Sequence, residues 1–292
     1  MRVLAEALAR EVLLADAGTE HRLRALKLDI ARDLFGAEGC LAVLSLTRAQ
    51  MLRGIYEEQL RAGADIVRTN TKQASPLELR RFGLEEDAFA INYGAAQIAS
   101  AAIDAVPGGD RRRFVLGVIS DLGWDAASHE IEVATALQAS ALLAGGADGI
   151  ALEIATDACR APAFIQGARR AKEESSTAGI FILQQGDDVP EALRQLSDGV
   201  IRYQEITPSS SETACRIGAE VNLLGGTRAE HTASLDRLLR ATAEESPRPP
   251  ILSRQPAFSP APRRHCVQRS RGRSASSAAN VIYCASRWAQ RR

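Results

Sequence analysis

Apolar and polar positions alternate along this chain with two periods, and the clearest helical stretch begins just after Thr47. Met51, Leu52, Ile55, Tyr56 and Leu60 recur at steps of three and four, giving a helix one apolar face that needs a partner. Thr47-Arg48-Ala49-Gln50 has the form of a capping box, in which the Thr hydroxyl and the Gln side chain satisfy free amides of the first turn. Gly63 supplies the left-handed residue that ends the helix. Asp65-Ile66-Val67-Arg68-Thr69-Asn70 follows as a short strand, apolar at first and polar at its carboxyl end. Helix, glycine, loop and strand in that order make the αβ step of a parallel sheet.

The step recurs. Ala144-Gly145-Gly146-Ala147-Asp148-Gly149-Ile150-Ala151-Leu152-Glu153 repeats the Ala62–Val67 phrase with Glu153 at the polar tip, and Asp65 and Asp148 lie 83 positions apart. That is about two βα units of roughly 40 residues each. Repeated units with polar strand tips predict an α/β fold, a (β/α)8 TIM-type barrel with its site at the carboxyl face. A doubly wound open sheet is the alternative, weakened because no Gly-x-Gly-x-x-Gly follows an early strand.

Period-two and apolar runs place the other strands at 12–19, 114–119, 149–155, 180–183, 200–203 and 220–224. Helices are expected over 77–81, 85–105, 130–143 and 229–243, with a further one opening at Asp157. About 15 residues separate the last two strands, whereas an intact βα unit needs about 30. One unit of the barrel is therefore expected to be missing or degenerate.

Charge divides the chain in two. The net charge over 292 residues is zero, but residues 246–292 carry ten Arg and no Asp or Glu. Residues 1–245 therefore hold 26 basic and 36 acidic side chains, which fits a globular body and not a nucleic-acid binder. With eight Ser and six Pro as well, the segment 246–292 is expected to be disordered. It fits either a basic arm for an anionic surface or a frame-shifted end in an Arg-rich genome, where Arg outnumbers Lys 33 to 3. Five cysteines without paired spacing point to reduced thiols and a cytoplasmic setting. No apolar run suggests a signal peptide or a membrane span.

Leu46-Thr47-Arg48, Ala62-Gly63-Ala64-Asp65-Ile66-Val67 with Thr69-Asn70-Thr71, Phe82-Gly83-Leu84, Ile91-Asn92 and Gly145-Gly146-Ala147-Asp148 with Leu152-Glu153 together resemble the homocysteine S-methyltransferase family. That family includes the homocysteine-binding barrel of cobalamin-dependent methionine synthase. The likeness covers roughly 12–157 and returns over 220–243 through Leu224-Gly225-Gly226-Thr227-Arg228-Ala229-Glu230-His231. It implies a barrel holding zinc at its carboxyl face, with homocysteine bound as the thiolate that attacks a methyl group. The implied partners are a homocysteine-like amino acid, a methyl donor and, where the donor is a corrinoid, the protein that carries it. A metal makes such chemistry accessible because a free thiol has a pKa near 8.5.

The chain departs from the pattern where the zinc would sit. The family's three cysteine ligands follow the sixth strand and fill a glycine loop before Glu-His. Here those places read Gln204-Glu205-Ile206-Thr207 and Gly225-Gly226-Thr227, with Cys215 farther on. No metal ligands can be named. The family's glutamate in its Glu-Thr-Asn phrase is Arg68 in this chain.

The resemblance makes Asp16, Gly18, Thr19, Arg68, Asn70, Thr71 and Glu153 the substrate-binding candidates. Glu153 matches a substrate-side glutamate able to hold an ammonium group, and an ion pair with Arg68 is the plainer reading. Asp16 with Gly18-Thr19 resembles a first-strand turn and equally fits an ordinary strand end. Asn70 and Thr71 are expected at the mouth. Asp121 and Asp157 are weaker candidates, His129 and His231 fit exposed or helix-end roles, and Cys40 fits a free thiol. Three functions stay open: methyl transfer to homocysteine, a catalytically silent binding barrel or gene remnant, and another chemistry in which Arg68 holds an anion.

Overall fold

The computed structural model describes residues 4–16, 18–108, 111–123, 125–154, 160–173, 178–184, 189, 191–206, 223–226, 233 and 236. Seven strands run parallel in sequence order: β1 (Leu13–Ala15), β2 (Ile66–Arg68), β3 (Phe114–Ser120), β4 (Gly149–Glu153), β5 (Gly179–Gln184), β6 (Gly199–Ile206) and β7 (Leu223–Gly226). Each pairs with the next, and β7 also pairs with β1 through Leu13–Leu223, Leu14–Leu224 and Ala15–Gly225. The helices are α1 (Leu4–Arg10), α2 (Thr19–Arg24), α3 (Ile30–Leu34), α4 (Leu44–Thr47), α5 (Ala49–Arg61), α6 (Pro76–Leu79), α7 (Ala88–Ala105), α8 (Ser128–Ala144), α9 (Ala161–Lys172) and α10 (Glu191–Leu196). The result is the expected α/β class, a curled parallel sheet with helices against it. The segment that would hold the reduced unit, 207–222, lies outside the described residues, as do most of 229–243 and all of 246–292.

Strand parity divides the core in two. Val67, Val115, Ile119, Ile150, Leu152, Ile180 and Ile182 face outward and pack with the helix layer. Ile66, Phe114, Leu116, Ala151, Phe181, Leu183, Ile201 and Tyr203 face inward and pack with one another. Leu4, Ala7 and Leu8 of α1 join this inner cluster. Leu4 reaches the first residue of β4, where a Cβ on Gly149 would stand 3.0 Å from Leu4 Cδ2. A Cβ on Gly179 would come within 2.3 Å of the Phe181 ring, so both glycines make room at the amino end of the sheet. α1 thus fills that end. Its apolar positions are too few for the sequence periodicity to announce it.

The repeated Ala-Asp phrase proves to be a fastening at the same end. Asp65 accepts from Leu14 N (3.0 Å) and donates its own amide to Leu14 O (2.8 Å). Asp148 makes the same two bonds with Val115, both 2.8 Å. Asp198 makes them with Ile180, again both 2.8 Å. Each Asp stands just before an even-numbered strand and grips the second residue of the strand before it. The third instance, Ser197-Asp198-Gly199, escapes the sequence search because the glycine phrase ahead of it is absent.

One expectation is corrected. α5 begins at Ala49, and its N-cap residue Arg48 makes no side-chain capping bond, so Thr47-Arg48-Ala49-Gln50 is not a capping box. The Thr47 hydroxyl instead donates to Asp33 O (2.6 Å) and, more weakly, to Val43 O (3.4 Å). α4 runs up to Thr47, so its backbone has no free first turn to cap there. The Asp33 carboxylate meanwhile receives Arg48 through Nε and Nη2, both at 3.0 Å. Thr47 and Arg48 tie α3 to the start of α5. Gly63 does carry the expected left-handed backbone, with φ 107.

Candidate functional site

At the carboxyl ends of the strands lies a cavity of about 520 Å³, lined in part by Asp16, Thr19, Arg68, Asn70, Lys72 and Tyr203. Its floor follows from parity. Arg68 stands two residues after the inward Ile66, and Tyr203 two after the inward Ile201, so both point to the concave side. Arg68 donates from its backbone N (2.9 Å) and Nε (3.0 Å) to Asp16 Oδ1, and from Nη2 to Asp16 O (2.9 Å). Its guanidinium carbon lies 4.7 Å from the centroid of the Tyr203 ring, a cation–π distance. The other Asp16 oxygen, Oδ2, accepts from Thr19 Oγ1 at 2.8 Å. Gly18, with φ 62, turns the chain so that Thr19 can do so.

Electrostatics keep Arg68 charged. Burial by itself lowers the affinity of Arg68 for its proton, but Asp16 opposite, with Tyr203 and Glu153 nearby, overrides it and holds the guanidinium above its ordinary value. Below the floor, burial pushes the Tyr56 phenol up, and the Asp16 charge adds to it. Tyr56 is therefore a neutral hydroxyl, accepting from Asn70 N at 3.1 Å.

The remaining candidates separate. Asn70 lines the cavity while its Nδ2 donates to Leu41 O (2.7 Å), which pins the rim. Thr71 is fully buried and does not line the cavity. Its hydroxyl donates to Val118 O (2.7 Å), so the 2.6 Å contact with Thr69 Oγ1 must take the Thr69 proton, leaving Thr69 to accept from Val118 N (3.0 Å). Thr69 and Thr71 thus extend the β2–β3 ladder past the strand end, so Thr71 serves the sheet and not the mouth. Glu153 is not among the lining residues either, and it does not pair with Arg68, which has Asp16 just past the end of the adjacent strand. Its Oε2 accepts from Ser120 Oγ (2.9 Å) and meets Lys72 Nζ (2.8 Å). Its Oε1 is buried with no hydrogen-bond partner.

Sequence reasoning missed Lys72 and Tyr203 as site residues. Tyr203 was findable from parity along β6, which is twice the length expected, and Lys72 sits in a loop where no periodicity points anywhere. Asp121 receives Gly123 N (2.8 Å) and Arg160 Nη2 (3.0 Å), a clasp between the β3 tip and α9. His129 is exposed, as expected. Asp157, Cys159, Cys215, Glu230 and His231 lie outside the described residues.

Among the described residues no donor set fits zinc. Cys40 is the one cysteine among the described residues, and its Sγ lies 3.8 Å from Gln73 O. Burial pushes its thiol up to about 11, which keeps it from acting as a thiolate ligand. Among the described residues no group of three His, Cys, Asp or Glu gathers in a way that could hold a metal. A catalytic zinc site needs at least three protein ligands.

Comparisons with known proteins agree with this fold. The methionine synthases of Mycobacterium leprae (strain TN) and Mycobacterium tuberculosis (strain ATCC 25618 / H37Rv) are each 30% identical, over 180 and 174 residues, or 59% and 58% of this chain. The chain spans only 15% and 14% of their lengths. The Escherichia coli homocysteine methyltransferase MmuM shares the fold. Its metallated form aligns over 78% of this chain and 96% of its own, with TM-score 0.57 and 18% identity. Its apo form aligns over 81% and 98%, with TM-score 0.55 and 17% identity. Residues 13–201 match the family described as Homocysteine S-methyltransferase. The chain belongs to the homocysteine S-methyltransferase family.

Proposed function

We propose that the chain is a (β/α) barrel with one βα unit reduced between β6 and β7, whose carboxyl-end cavity takes a homocysteine-like amino acid. We propose further that it holds zinc weakly or not at all, so that methyl transfer to homocysteine falls below detection and the barrel acts as a binding protein. The carrying observation is the donor set. Gly225-Gly226-Thr227 and Gln204-Glu205-Ile206-Thr207 offer no sulfur where the family resemblance places its thiolates. Neutral backbone and a Thr hydroxyl do not replace charged sulfur, which supplies the zinc affinity of such sites.

The substrate contacts in this reading are Asp16, Gly18, Thr19, Arg68, Asn70 and Glu153, with Thr71 supporting the sheet behind them. Asp16 and Arg68 neutralise each other, so the floor offers a polar, rigid surface and no free charge. The same reading carries a cytoplasmic setting, a methyl donor with a corrinoid protein as one source, and a body over 1–245 followed by an unpacked basic segment over 246–292.

Metal analysis of dialysed protein beside a homocysteine methylation assay tests it. The expected result is zinc far below one per chain and no methionine formed. Near-stoichiometric zinc, with methylation that a chelator abolishes, would establish the competing reading of an active methyltransferase.

A further inference from the structure

Lys72 stands between the cavity and Glu153. The lysine is on the cavity wall with its side chain 42% exposed, and the carboxylate behind it is 16% exposed. Two donors, Lys72 Nζ and Ser120 Oγ, crowd onto Oε2, while Oε1 is buried with none. A buried carboxylate oxygen without a donor is a costly arrangement in a protein that has a cavity beside it. Glu20 Oε2, also on the cavity wall, lies 4.0 Å from the same Nζ. A displaced Lys72 therefore has a second carboxylate close at hand.

We infer that Lys72 is a displaceable plug: its ammonium occupies the Glu153–Ser120 pocket that the primary ammonium of a ligand takes, and it moves to Glu20 when such a ligand enters. The inference deepens the reading of this cavity as an amino-acid site. Lys72 then decides the class of ligand. Amine-free ligands enter beside the resident lysine, and amino acids must first break an ion pair. A ligand ammonium at Glu153 also reaches Oε1, which the tethered Lys72 does not satisfy.

The test compares Lys72→Ala and Lys72→Met with the unaltered chain by calorimetry, using homocysteine and 4-sulfanylbutanoate, which is homocysteine without its amino group. Homocysteine is expected to bind the variants about tenfold tighter, as removal of a competing ion pair warrants. The affinity for 4-sulfanylbutanoate should stay within about twofold. Adding Glu153→Gln should abolish the gain. A second arm needs no homocysteine: n-butylammonium, which replaces the missing lysine head, should raise the melting temperature of Lys72→Ala and not that of the unaltered chain. Equal homocysteine affinity with and without Lys72 overturns the plug and leaves the amino-acid site standing. Rescue by butylammonium without any homocysteine binding keeps the plug and removes the amino-acid reading. A folded Lys72→Met, checked by circular dichroism, that gains neither ligand overturns the plug.

Discussion

Asp33 shows how a single residue here combines anchoring with pH sensitivity. Hydrogen bonds from Arg32 and then Arg48 hold its carboxyl well below the ordinary carboxylate range, and Asp29 N adds a third donor at 3.0 Å. A depressed folded-state pKa contributes stability above the unfolded value near 3.9, and that contribution is lost as pH falls through it toward the folded value. The melting temperature should therefore drop as pH is lowered below about 4. Asp33→Asn should already melt lower at pH 6 and lose less on acidification; parallel pH profiles for the two proteins would contradict the assignment. Little of this was legible in the sequence, where Thr47 and Arg48 looked like the start of a helix. A capping box and a Thr-Arg tether are spelled alike, and only the position of α3 decides between them. Arg68 presents the same difficulty, since its charge was plain from the sequence and its partner was not. Adjacent strands decide partners, so Asp16, just past the end of β1, takes it before Glu153 on β4 can.

At the level of elements, helices and strands were legible because their periods are long and regular. The strand starts and ends agree within a few residues for β2, β3, β4 and β5, whose apolar runs are bounded by glycine or polar tips. α1 and the short helices between Thr19 and Thr47 were not legible, because segments of four to seven residues hold too few apolar positions to show a period. The Asp fastenings show what a repeated phrase can hide. The repeat of Asp65 and Asp148 pointed correctly to recurring βα units, yet these residues act at the amino end of the sheet, opposite the cavity. They join β1 to β2, β3 to β4, and β5 to β6. Asp65 is buried and also binds Arg111 at 2.7 Å, whereas Asp198 lies nearer the surface and pairs with Lys172 at 2.6 Å. Asp65→Ala should thus cost about 1–3 kcal/mol, because it leaves a buried strand amide without its acceptor, while Arg111 keeps Asp236 at 2.7 Å. Asp198→Ala should cost about 1 kcal/mol. Urea denaturation of the two variants checks the order; equal losses would show that burial does not set the strength of the fastening.

At the scale of the whole molecule, the charge division of the sequence gives a further expectation for the segment beyond 246, which carries ten Arg and no acid. Its amides should exchange with solvent far faster than those of β3 or β4, as measured by hydrogen exchange and mass spectrometry. Protection over 250–280 equal to that of the strands would contradict the proposed boundary of the body. Within the body, the two ends of the sheet differ in kind. Leu4, Ala7 and Leu8 of α1 fill one end with packed side chains, and the cavity opens at the other. Among the described residues such a cavity is a blind alley, closed at the end that α1 fills. Two molecules that shared it would form a queue, the one against Arg68 and Tyr203 entering first and leaving last.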